Sequence, residues 1–88
     1  MTWTFLTNHG QVLLAIARDP RQTMRQVAAA VGITERAAHA IVKELEEDGY
    51  LQRTRLGRSN VYAIHADRPL RHPLSRNRVV ADLLELLG

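Results

Sequence analysis

Arg36, His39 and Lys43 recur three and four residues apart in ERAAHAIVKELEE, a spacing that sets all three on one face of a helix. Such a face offers hydrogen-bond donors, and the base edges of a DNA major groove, which is wide enough for an α-helix, accept them. Arg36 suits a bidentate contact to guanine. His39 reaches a base edge or a phosphate, and Lys43, further along, meets the backbone. Thr34 and Glu35 open the same segment, where the free N–H groups of a helix start suit a phosphate. Glu35 repels phosphate unless it accepts from a cytosine amino group. Ala37 and Ala40 add only methyl contacts, so the face is chemically thin. A second cationic set follows at the tip of TRLGRSN: Arg55 and Arg58, with Ser59 and Asn60 beside them. Arginines there would follow the sugar-phosphate backbone or enter a narrow minor groove.

Other chemistries lack their residues. Serine catalysis needs a base and a third orienting group, but Ser59 and Ser75 fall in a hairpin tip and a helix cap. His65 and Asp67 have no partner in view. The chain contains no cysteine, and His9, His39, His65 and His72 fall on four different elements without shared ligand spacing. The last helix offers only Asp82 and Glu85. No enzyme, metal or cofactor is expected.

The elements that must position these cations are legible. Thr23 with Gln26 three residues on has the spacing of a capping box. Met24, Val27, Ala28 and Val31 then form a helical stripe. Gly32 can take the positive φ at which a helix stops and turns. Thr34 caps a second helix, 35–48, with Ala38, Ile41, Val42 and Leu45 inside, and Gly49 ends it. An earlier helix, capped by Thr7 and stopped by Asp19–Pro20, buries Leu6, Val12, Leu13, Ile16 and Ala17. From Tyr50 to His65 the period changes to two, predicting a hairpin over 51–65 with its tip at Gly57–Asn60. Residues 66–74, with two prolines, are expected to be an extended connector. Ser75 is expected to cap a last helix bearing Val79, Val80, Leu83, Leu84, Leu86 and Leu87.

Gly32 at the turn, Ala28 four residues before it, and apolar Val27, Val31, Ile33, Ala38 and Ile41 resemble a helix-turn-helix. KELEEDGYLQRTRLGRSNVYAIH is similar to the recognition-helix end and wing of bacterial winged-helix regulators of the MarR and ArsR type. The resemblance covers residues 8 to 65. It implies a mainly α fold with a small β-hairpin wing, in the order α-α-α-β-β-α. It also implies double-stranded DNA as partner and a homodimer paired through terminal helices. Trp3, Phe5, Val80, Leu83, Leu84 and Leu87 are the expected seam. MarR-like regulators often bind small-molecule effectors near that seam, but no residue here marks such a pocket.

Size and charge agree. At 88 residues the chain is read as one domain, 1–88. A domain that small buries only about 60% of its unfolded surface, so pairing would help it. The net charge of +3 is uneven: −1 over residues 1–49, +6 over 50–78, where seven arginines meet Asp67 alone, and −2 over 79–88. A basic block on a hairpin is the footprint of a polyanion partner. No stretch approaches the ~20 apolar residues of a membrane span. No signal-peptide pattern opens the chain, so the expected location is the cytoplasm. The competing reading is a winged-helix module that binds protein or RNA through its alanine-rich face.

Overall fold

The computed structural model describes residues 3–88. Its elements run α1 (Asn8–Arg18), α2 (Met24–Val31), α3 (Glu35–Glu47), β1 (Leu51–Leu56), β2 (Ser59–Ile64) and α4 (Val80–Leu87). This is the winged-helix order expected above.

Each of the first three helices begins with a threonine hydroxyl accepting a backbone N–H. Thr7 takes that of Gly10, Thr23 that of Gln26 and Thr34 that of Ala37. At Thr23 the box closes, because the Gln26 amide oxygen accepts the Thr23 N–H at 2.9 Å. Gly32 has φ +85°, and both its N–H and that of Ile33 donate to Ala28 O. That double bond stops α2 and swings the chain into α3. Ala28 and Ala38 are both buried, so the inward faces of α2 and α3 carry methyl groups where bulk would hold the helices apart.

The core joins Val12, Leu13 and Ile16 of α1 to Met24 and Val27, to Ile41, Val42 and Leu45, and to Leu51, Tyr62 and Val80. Ala17 is exposed and Leu6 lies outside α1, half-buried. The hairpin pairs Leu51 with Ile64 through Leu56 with Ser59. Its tip is narrower than expected: only Gly57 and Arg58 lie between the strands. Gly57 has φ +62° and Arg58 a negative φ, the combination of a type II′ turn, whose twist matches the strands it joins. Tyr62 N–H donates to Pro20 O at 3.0 Å, laying the α1–α2 connection along the free edge of β2.

The C-terminal third departs most from the sequence reading. Residues 66–79 fold back on themselves. Leu70 N–H donates to Arg78 O, Val80 N–H to Arg68 O and Ala81 N–H to Ala66 O, each within 3.0 Å. Pro69 and Val79 form an isolated antiparallel bridge. Ser75 therefore caps no helix; its N–H donates to His72 O within a turn. Val79 must stay extended for the bridge, so α4 starts one residue later, with the Asp82 carboxylate accepting the Val79 N–H. Val80 is buried among the core side chains, at the floor of a groove beside α4. Leu84 packs against that core and Leu83 is half-buried, while Leu86 and Leu87 face outward.

Candidate nucleic-acid interface

Helix α3 buries Ala38, Ile41, Val42 and Leu45. At 100° per residue, that stripe turns Arg36, His39, Ala40 and Lys43 to the open side, and all four are exposed. Ala37 is half-buried and contributes less to the face than expected. Thr34 is committed to its cap on Ala37 N–H at 3.0 Å. The N–H groups of Glu35 and Arg36 precede the first intrahelical bond, Ala38 to Thr34 O. Donors at such a helix start are available to an anion.

Salt bridges sort the charges. Glu35 lies 4.0 Å from Arg25 of α2, both side chains largely exposed. Lys43 lies 4.0 Å from Glu47, one turn on. Arg36 has no acidic partner among the described residues. Arg25 is the residue that sequence reading missed. It is the second residue of α2, exposed, and it reaches the N-terminal end of α3. Its position at a helix start just ahead of the turn was the signal that could have found it.

On the hairpin, alternation and register set Leu51, Arg53, Arg55, Asn60, Tyr62 and Ile64 on one face. Leu51 and Tyr62 are buried, so this is the face turned to the core and to α3. Arg53 Nε meets Glu46 Oε2 at 3.6 Å. Glu46 lies on α3 two turns beyond His39, so the wing is fastened along that flank. Beyond Arg53, on the same face, Arg55 donates from Nε to Gly57 O at 3.2 Å and keeps its guanidinium at the tip. Arg58 stands exposed in the turn. Ser59 and Asn60 belong to β2, opposite Leu56 and Arg55, rather than to the tip. Burial raises the pKa of the Tyr62 hydroxyl above its usual 10.0, opposed by the charge of Arg53.

The basic block of residues 50–78 is therefore divided. Arg53 is committed to Glu46. Arg71 meets the Asp48 carboxylate at 2.7 Å, and Arg68 donates to Asp48 O at 3.3 Å while its guanidinium packs over Gly49. Both neutralise the acidic C-terminal end of α3, where a helix dipole favours cations. They do not extend a nucleic-acid footprint as free cations. Arg55, Arg58, Arg76 and Arg78 have no acidic partner among the described residues. The histidines are scattered: His9 meets Glu44 at 3.4 Å, and the described residues hold no cluster of three or more metal-ligating side chains.

A capped α2, a glycine turn, a helix with an open cationic face and an arginine-tipped hairpin define a DNA-binding architecture. Residues 6–52 match the family described as winged helix-turn-helix DNA-binding. The match spans more than half of the 88 residues, from the arm before α1 to the start of β1, and the chain belongs to that family. It is a family defined by binding DNA rather than by catalysis. No curated protein matches the chain. Among the described residues, no helix is long and apolar enough to cross a membrane.

Proposed function

We propose that this protein regulates transcription by binding double-stranded DNA as a homodimer, of the kind its resemblance to MarR- and ArsR-type regulators implies. In this reading α3 enters the major groove, with Arg36 on a guanine edge, His39 on a base edge or phosphate and Lys43 on backbone. Arg55 and Arg58 follow the neighbouring phosphates or minor groove, and Arg25 and the N-terminal end of α3 take a phosphate. The cytoplasm is the expected setting for a cysteine-free DNA-binding chain.

One observation carries the reading. The Arg53–Glu46 pair fastens the basic hairpin beside α3, and the carboxylates at that junction, Glu46 and Glu47, face Arg53 and Lys43. The face supplies few base-reading groups, and phosphate contacts and groove shape account for much of the binding.

Selection of bound duplexes from random DNA tests it. An inverted repeat with half-sites about one helical turn apart is the expected product. Enrichment of no DNA, together with retention of a single-stranded RNA or a protein, would favour the competing module reading.

A further inference from the structure

One apolar feature stands apart from the residues assigned to DNA above. A groove of about 710 Å³ opens between the arm before α1, the C-terminal end of α3 and the return loop of residues 66–79. Leu6, Leu13, Leu45, Tyr50, Leu70 and Leu83 line it. Phe5 borders it, and Trp3 stacks edge to face on Phe5 with ring centres 5.1 Å apart. Trp3 and Phe5 are 65% and 94% exposed, although each such side chain carries about 150–250 Å² of surface suited to burial. The groove stands open while the aromatic pair at its edge stays exposed.

Phe5, Leu6 and Thr7 of the arm border their own groove without closing it. Thr7 is fixed as the cap of α1, and the Thr4 hydroxyl donates to Leu6 O, a bend that holds Phe5 outward at the rim. At the mouth Glu44 lies 3.4 Å from His9, and Asp48 is paired with Arg71 at 2.7 Å. The surface total leaves enough unburied area for a second copy. The chain exposes 6493 Å², whereas a compact monomer of 9.9 kDa exposes about 5200 Å². The excess of about 1300 Å² is more than the ~800 Å² that each partner contributes to a standard interface.

We propose that the Trp3–Phe5 arm of each copy seats in the groove of a second copy, a reciprocal exchange about a two-fold axis. This rests on the dimeric reading above and specifies its seam: Trp3, Phe5 and Leu83 are in it, and Val80 is its floor. Because the groove includes Leu45 and lies beside Asp48 at the end of α3, the exchange sets the relative orientation of the two DNA-reading helices.

Trp3 is the chain's only tryptophan, so its emission reports the arm alone. Light scattering and emission are recorded together on the full chain over a dilution series. The expected result is a dimer with blue-shifted emission that gives way to a monomer with red-shifted emission at one shared midpoint. Phe5→Ser and Leu83→Asp should each raise that midpoint by about tenfold or more. Phe5→Ser decides if Leu83→Asp unfolds, because Phe5 makes no core contact to lose. A monomer at every concentration, a dimer with red emission, or a blue shift independent of concentration would each overturn the proposal. A dimer that ignores DNA counts against the function instead, and a monomer that binds DNA counts only against the exchange.

Discussion

Glu46 on α3 and Arg53 on β1 meet at 3.6 Å, the ion pair that joins wing to recognition helix among the described residues. It fastens the hairpin to α3 by the face that carries Leu51, Arg53 and Arg55. Side-chain exposure of 52% for Arg53 and 25% for Glu46 marks it as a positional device rather than a large source of stability.

A double-mutant cycle of Arg53→Ala and Glu46→Ala, read by urea denaturation, should return a coupling of about 0.2–1 kcal/mol. It should shrink in high salt. A coupling of zero at low salt would mean the wing is held by Leu51 and Tyr62 packing alone.

Gly32 is a backbone requirement. A Cβ there would meet nothing within 4 Å, but φ is +85°. Gly32→Ala should therefore cost about 1 kcal/mol through backbone strain alone and lower Tm by roughly 4–8 °C. An unchanged Tm would show that the turn relaxes out of the left-handed region.

The helix-turn-helix was legible because each of its signals is local. Thr23 with Gln26, Gly32 and Thr34 act within four residues of themselves, and the stripes they bound follow one period. The alternation over 51–56 and 61–64 likewise disclosed the hairpin. The C-terminal third was not legible, since its conformation comes from bonds between distant positions, Leu70 to Arg78 and Val80 to Arg68. Those bonds overrode a plausible serine cap at Ser75. The site was legible in residue type but not in partnership. No local pattern could show that Arg68 and Arg71 close the end of α3, or that Arg25 reaches Glu35.

Alkaline stability should depend on Tyr62. Burial makes its hydroxyl hold the proton more tightly folded than unfolded. The stabilisation is fully present below the ordinary tyrosine pKa of about 10 and is lost as pH rises through the higher folded value. Urea midpoints from pH 7 to 11 should fall at the alkaline end. Tyr62→Phe should flatten that fall; an identical fall would assign it to other groups.

In the proposed binding mode, Arg55 and Arg58 position the protein rather than read sequence. Replacing both with alanine should weaken every duplex alike and reduce the salt dependence of binding by about two phosphate contacts per protomer. A loss confined to one sequence would give them base contacts instead.

The central claim is that the open face of α3 and the tip of the wing address one DNA duplex together. Anisotropy of a labelled duplex carrying the selected site, titrated from low to moderate salt, measures this directly. The wild-type chain should bind with steep salt dependence. Arg36→Ala should lose affinity for that site over a scrambled one, and Arg58→Ala should lose affinity for both. Absence of binding by the wild-type chain at ~50 mM salt, where phosphate contacts are strong, would contradict it.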